Sequence, residues 1–446
     1  MHGDGSGKGG TGTDGGSDKM PPKGIDGSVS TSGVTYQKDI RTLIESNCLS
    51  CHIQGGIGPF PLDTWDAVNA VNAPVVAAVT SGLMPPWPAD SACRDLADAP
   101  TLTTKKRDLF KAWQMAGFPE GKASDYVAPA TVSRVDLGKP TFTLASSEAY
   151  TPAASSDDYR CFLLDKVFDK ASYWTGMDIV PEKVGEVHHV QIHRITAAQR
   201  TRVEELDAAA AGAGYPCLNG TGVQSQNLFS WRPGSLSVSF DKGDAVYIEA
   251  GSSLVIQVHY NTVFLPKGDV PTPDTTKINL WALADGELPD RIIYRTGTTA
   301  QFLIGAGNPS VVATASTTMG MLPGLARLTA AGAKGEIIGM TPHAHQLASK
   351  MSANVTTGAG QECLINIPDW DFHWQLDYMF VKPVPFAPTD SVTVTCEYDN
   401  SAENQPVIDG VRQTPRIVAW GEGSLDEMCL HYIWVRYDRA TFLGTK

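Results

Sequence analysis

His343 and His345 lie one residue apart in the apolar run Ile337-Ile338-Gly339-Met340-Thr341-Pro342-His343-Ala344-His345-Gln346-Leu347. Alternate residues of a strand point to the same face, so the pair can offer two imidazoles to one metal ion. Further histidines occur in the strand-like runs Val187-His188-His189-Val190-Gln191-Ile192-His193 and Val255-Ile256-Gln257-Val258-His259-Tyr260-Asn261. A thioether joins them in Asp426-Glu427-Met428-Cys429-Leu430-His431-Tyr432. A soft thioether beside imidazoles suits copper cycling through Cu(I), whereas a closed zinc site more typically combines thiolates with histidine. The chain has no H-E-x-x-H, which argues against a zinc hydrolase.

A second chemical motif is Cys48-Leu49-Ser50-Cys51-His52, the C-x-x-C-H spacing of c-type haem attachment, in which two thioethers hold the porphyrin and the histidine ligates iron. Met84, within Gly82-Leu83-Met84-Pro85-Pro86-Trp87, is the candidate sixth ligand. Prolines would stiffen such a loop, and thioether ligation raises the haem potential. The competing readings are a plain thiol pair or local disulfide with His52 as a bystander, and Met84 as core beside Trp87.

These motifs need elements to hold them. Tyr36, Ile40, Leu43, Ile44 and Cys48 fall near one helix face, and Leu109, Phe110 and Trp113 near another that Gly117 could end. Residues 34–126 are therefore expected to form a small all-α domain resembling a cytochrome c. Residues 1–33, rich in Gly, Ser, Thr and Asp, read as a flexible leader, and 127–139 as a linker. From 140 onward, short period-2 runs alternate with Gly, Pro, Asp and Asn turns, as in antiparallel β-sandwiches. Leu254, Ile256, Val258 and Tyr260 share one face and Val255, Gln257, His259 and Asn261 the other. The length suits two sandwiches, 140–288 and 289–446, so the expected fold is mainly β behind a helical domain.

The chain has 446 residues and a net charge of −13, from 35 Lys and Arg against 48 Asp and Glu, with no long basic run. That excludes a nucleic-acid partner held by clustered cations. No apolar run approaches the roughly 20 residues of a membrane-spanning helix. Cys48 and Cys51 belong to the haem motif, and the other six cysteines allow 15 pairings. Their even number fits an oxidising compartment, the periplasm or cell exterior. No signal peptide is visible, and a tract such as the leader commonly tethers exported domains, so lipid anchoring through a removed N-terminal segment is compatible with it.

The order His-His, Gln-Val-His-Tyr, His-x-His and Glu-Met-Cys resembles the copper type II, ascorbate-dependent monooxygenases, over roughly residues 140 to 440. The resemblance implies two jelly-roll-like domains and two coppers, one on His188, His189 and His259 and the oxygen-binding one on His343, His345 and Met428. It implies that Tyr432 lines the reaction cavity, since Met428, Leu430, Tyr432 and Trp434 alternate onto one face. It also implies a Cys396–Cys429 disulfide; Cys161–Cys217 is expected in the preceding domain, with Cys93 and Cys363 unassigned. Adjacent histidines can share an ion only through a bulge, a strand end or different ring nitrogens. His193 is read as a supporting or surface residue, and His373 and His431 as structural.

Peptide-hydroxylating members carry an arginine two residues before His-x-His; here Thr341 stands there, and Leu430 replaces an expected asparagine. A glycine-extended peptide is therefore not the expected substrate, and a more apolar pocket is. The implied reaction is hydroxylation of a C–H bond of a small organic substrate with O2. Electrons would come from an ascorbate-like reductant, from the attached haem, or from a periplasmic donor. The competing class is a copper-binding or electron-transfer protein without hydroxylase activity.

Overall fold

The computed structural model describes residues 33–54, 58–97, 102–129, 137–154, 158–218, 220–233, 235, 237–262, 265, 269–330, 332–372, 374–408, 411–423 and 425–444. The leader up to residue 32, linker residues 130–136 and His373 lie outside them.

Helices Arg41–Asn47, Trp65–Ala70, Asn72–Ser81 and Thr104–Met115 form the N-terminal unit, with a π-helical turn Tyr36–Ile40 before the first. Thr35, Thr64 and Thr103 cap their starts, each hydroxyl accepting a backbone N–H three residues on. Gly117, at φ 77°, follows the last helix, where a left-handed residue is wanted. Ile40, Ile44, Val76, Val79, Phe110 and Trp113 bury a core of their own.

This unit is not one continuous stretch. Residues 87–97 leave it and lie on the C-terminal half as a strap. The Trp87 ring packs edge-on to Tyr378 at 5.1 Å, and Leu96 bridges Phe380. Backbone bonds Asp90 N–H to Asn366 O (2.8 Å) and Ala97 N–H to Met379 O (2.8 Å) hold the strap's ends. Arg94 donates to the Cys363 carbonyl at 3.0 Å, and Cys93 is disulfide-bonded to Cys363. The two unassigned cysteines are thus partners across 270 residues. The expected pairs Cys161–Cys217 and Cys396–Cys429 are both formed.

The rest is mainly antiparallel β. A five-stranded sheet includes Asp158–Phe168, Ser252–Tyr260, Val187–Ile195 and Gln226–Trp231, and a four-stranded sheet includes Val311–Thr318, Ser391–Tyr398, Ala348–Thr357 and Gly360–Ile367. Between them runs one nine-stranded sheet, contributed by both halves. Its halves join where Asp244–Ile248 pairs in parallel with Arg291–Thr299. Beyond that seam follow Leu430–Asp438, Gly335–His343 and Tyr378–Phe386.

Three seam-side strands feed two cores at once. Ile292, Ile337 and Ile433 belong to the core under the four-stranded sheet, while their neighbours Ile293, Ile338 and Trp434 belong to the core under the five-stranded one. Period-2 alternation produces this division. The expected boundary near 287–290 is therefore a change of strand, and the sheet runs through it. Asp244 fastens the seam, with Arg436 at 2.8 Å and Arg291 at 2.5 Å, and Arg436 also reaches Glu336 at 2.6 Å.

The strap depends on its disulfide. Replacing Cys93 and Cys363 together by serine removes the closure of a very long loop and is expected to cost about 2–5 kcal/mol. Limited proteolysis should then cut within residues 87–97 well before the β sheets are attacked; equal resistance to the native protein would contradict this.

Candidate metal centre

The first histidine cluster depends on a β-bulge. The strand Val187–Ile195 pairs Val187 with Tyr260 and His189 with His259, so His188 is the extra residue. The bulge turns two consecutive side chains to one side, meeting the geometric requirement of the His-His pair. The Nδ1 atom of His189 lies 3.3 Å from Nδ1 of His188 and 3.4 Å from Nδ1 of His259. Imidazole–metal bonds of about 2.0–2.1 Å at tetrahedral angles set ligand nitrogens roughly 3.3–3.4 Å apart. The spacing therefore fits three nitrogens around one ion. Tyr159 stacks on His259 at 4.0 Å with the rings 8° from parallel, fixing that imidazole's plane.

The second cluster is held from behind. His343 Nδ1 pairs with the Gln375 side-chain oxygen, and Gln375 itself donates to the Phe372 carbonyl at 2.7 Å. His345 Nδ1 lies 3.0 Å from the Asp426 carbonyl. A carbonyl can only accept, so each Nδ1 carries the proton and each lone pair sits on Nε2. The rings stand 5.2 Å apart and nearly perpendicular. Burial is the main cause lowering the pKa values of His189 and His343 well below the ordinary imidazole value, so both are neutral, as ligation requires.

Glu427 ties the two ligand-bearing segments together. Fully buried, its carboxylate accepts the backbone N–H of His345 (2.9 Å), Leu347 (2.6 Å) and Met428 (3.1 Å). Burial pushes this carboxyl up to about 7, and the backbone donors oppose the rise. Behind Met428, its carbonyl accepts from Tyr398 Oη at 2.8 Å, and Cys429 is fixed by its disulfide.

His189 of the first cluster and His343, His345 and Met428 of the second line one cavity of about 240 Å³, whose walls also include Leu430 and Tyr432. Phe372 stands at both clusters, with its ring 5.1 Å from that of His188 and 6.0 Å from that of His345. Tyr432 lies in the wall as expected, with the Arg295 guanidinium 3.9 Å over its ring.

The cavity wall is mixed in character, because Arg232 lines it and Arg295 lies behind Tyr432. Of the two readings of His193, supporting or surface, burial excludes the surface one: it is held by Ser225 Oγ (3.0 Å) and Gln191 Oε1 (3.2 Å), and burial pulls it down to about 4. The expected 34–126 helical domain is interrupted by the strap, and Trp87, partly buried, packs against the core of the C-terminal half. His431 is buried and structural: neither of its nitrogens has a hydrogen-bond partner among the described residues. The Cys396, Cys429 and His431 group offers no thiolate, its sulfurs being joined.

Sequence reasoning assigned no role to Glu427, Arg232, Phe372 or Gln375. Glu427 had a visible signal, an acid between strand-like runs. Arg232 follows the buried run Leu228-Phe229-Ser230-Trp231, and nothing local distinguishes it from a strand-end cation.

The fold and the site define a β-sheet protein with two histidine clusters, one carrying a thioether, on a shared cavity. Residues 325–442 match the model of the copper type II ascorbate-dependent monooxygenase, C-terminal domain, and His343, His345, Met428 and Tyr432 lie within the matched span. The first cluster lies outside the matched span. No curated protein matches the chain. Among solved structures, the major capsid protein P2 of bacteriophage PM2 is 8% identical, covering 67% of this chain and 97% of its own, at a TM-score of 0.26. The mavirus major capsid protein is also 8% identical, covering 71% and 90%, at 0.20. Likenesses this weak carry no argument.

Glu427→Ala should strip three backbone N–H groups of their acceptor and lower stability by about 3–9 kcal/mol, at about 1–3 kcal/mol per buried unsatisfied group. If the variant folds, calorimetric copper titration should show weakened binding at the His343 cluster and native binding at the His188 cluster. Equal weakening at both would refute the clamp.

Proposed function

We propose that the protein is a dicopper monooxygenase that hydroxylates a C–H bond of a small organic substrate with O2. The observation carrying this reading is that His189 of the first cluster opens on the same cavity as His343, His345 and Met428 of the second, with Tyr432 and Leu430 in its wall. His188, His189 and His259 would hold one copper through Nδ1 atoms, and His343, His345 and Met428 the other through Nε2 atoms and sulfur. Copper, when bound, would supply oxygen activation at the second centre and one-electron storage at the first. The chain's own residues fix the tautomers of His343 and His345, keep His189 and His343 neutral by burial, and exclude water with Phe372 and Tyr159. No acid or nucleophile is required at the reacting carbon.

We extend the proposal to the helical unit, in which Cys48 and Cys51 would bind a c-type haem with His52, and Met84, as iron ligands. The residues fit such a group. Both thiols are unbridged, and burial pushes Cys48 up to about 12. His52 Nδ1 lies 2.9 Å from the Phe60 carbonyl, which puts the lone pair on Nε2. Leu49, Phe60, Trp65 and Met84 are only partly buried around the motif, an apolar surface that a porphyrin could cover. A Cβ on Gly58 would meet His52 Nδ1 at 2.6 Å, so glycine is needed where the ring is held. Haem would supply electron transfer, alongside or in place of an ascorbate-like reductant. The three disulfides support the periplasm or cell exterior.

Protein exported through a compartment with cytochrome maturation should contain two coppers and one iron per chain. His345→Ala should lose substrate-dependent O2 uptake and keep the copper of the His188 cluster. Zinc alone, or a single copper after reconstitution, would overturn the paired-copper reading. Cys48→Ser with Cys51→Ser should remove the covalent haem signal of a pyridine haemochrome assay; a wild-type chain without that signal would leave the copper reading standing and end the haem proposal.

A further inference from the structure

Arg232 follows the buried strand Gln226–Trp231 and lines the cavity shared by His189 and by His343, His345 and Met428. It is 8% exposed. Its backbone is set by a turn in which Arg232 N–H reaches Ser235 Oγ (3.0 Å) and the Arg232 carbonyl accepts from Ser235 N–H (2.8 Å). Its guanidinium has no such anchor. Nη1 is buried without a hydrogen-bond partner, and among the described residues no carboxylate lies within ion-pair distance.

A second guanidinium stands nearby. Arg295, also buried, donates through Nη1 to Asn227 and to Ser230 Oγ (3.0 Å), while its Nε and Nη2 have no hydrogen-bond partner. Asp377 is the carboxylate nearest to it, 3.9 Å from Nη2, and already accepts from Thr341 and from Trp434 Nε1 (3.3 Å). Burial lowers Arg295 only to about 10, so it stays cationic at neutral pH. Glu422 shares the cavity wall but pairs with neither arginine. Two buried cations thus face one engaged anion. A buried charge without a partner is costly, so an open arginine fork beside a cavity is a preformed seat for an anion.

We propose that Arg232 is a specificity-determining residue that binds the carboxylate of a small aromatic or hydrophobic acid, with Arg295 reinforcing the positive field. Tyr159, Trp420, Leu430 and Tyr432 supply the apolar wall against which the rest of the acid would lie. The guanidinium fork matches a carboxylate with two parallel hydrogen bonds. Thr341, at the position of the arginine in peptide-hydroxylating relatives, bonds to Asp377 instead, and the cation reaches the cavity from the other half of the molecule. The inference rests on the monooxygenase reading only in calling the occupant a substrate.

The test is calorimetric titration of the full chain, metal-free and copper-loaded, with benzoate and with the neutral analogue benzamide. Benzoate should bind at least about tenfold more tightly than benzamide, the value of one charge-assisted contact. Arg232→Gln should erase that preference, and Arg232→Lys should restore part of it. Because the native guanidinium is unpaired, Arg232→Met should leave Tm unchanged or raise it by about 2–4 °C. The proposal is overturned if benzoate and benzamide bind alike, if Arg232→Gln leaves the preference intact, if equimolar chloride displaces benzoate, or if Arg232→Met lowers Tm. Failure of the copper reading would appear separately, as benzoate binding to a protein that takes up no copper.

Discussion

Three strands carry successive hydrophobic residues into two different cores, and the geometry of the cavity depends on that sharing. Ile292 with Ile293, Ile337 with Ile338, and Ile433 with Trp434 each straddle the sheet. Moving one half against the other would expose large apolar side chains at every shared strand, at roughly 1.5–3 kcal/mol for each side chain uncovered. The buried Asp244–Arg436 pair adds a directional lock at the seam. The two histidine clusters are therefore carried on one continuous scaffold, and Phe372, touching both, stands in the gap as an apolar spacer.

Within that frame the two clusters are positioned by different means. The first uses backbone geometry, a one-residue bulge that brings consecutive histidines to one side with their Nδ1 atoms converging. The second uses hydrogen bonds, with Gln375 and a backbone carbonyl holding Nδ1 so that Nε2 faces outward. Glu427 joins the His-x-His segment to the methionine segment, which come from distant parts of the chain. On its other side the His-x-His strand lies close to Tyr378–Phe386, an approach that Gly339 permits, since a Cβ would meet Met379 Sδ at 2.7 Å.

Much of this was legible in the chain because it rests on local period and residue type. The mainly β character followed from alternation, the pairing of His343 with His345 from their spacing, and the need for a bulge, a strand end or different ring nitrogens from the awkwardness of two adjacent histidines, of which the structure has the bulge. The Cys396–Cys429 pairing came through resemblance. What escaped was set by distant contacts. No local pattern tells Cys93 that its partner is Cys363, or that residues 87–97 will lie against Tyr378 and Phe380. Arg232 escaped for the same reason: Thr341 advertised the loss of one arginine, and nothing near it signals a cation that arrives from a strand more than a hundred residues earlier.

The strand Leu430–Asp438 lies between Arg291–Thr299 and Gly335–His343, in the interior of the largest sheet, and is among the last segments of the described chain to be synthesised. Until it inserts, both neighbours present bare edges and Met428 has no place beside His343 and His345. The N-terminal helices, whose core is local in sequence, can assemble as they emerge, whereas the sheet must wait for its keystone. Order of synthesis thus separates the two motif-bearing regions in time: the C-x-x-C-H segment can be folded and open to modification before the second metal cluster exists. The exposed strand edges of that interval are where a chaperone would be needed and where aggregation would begin.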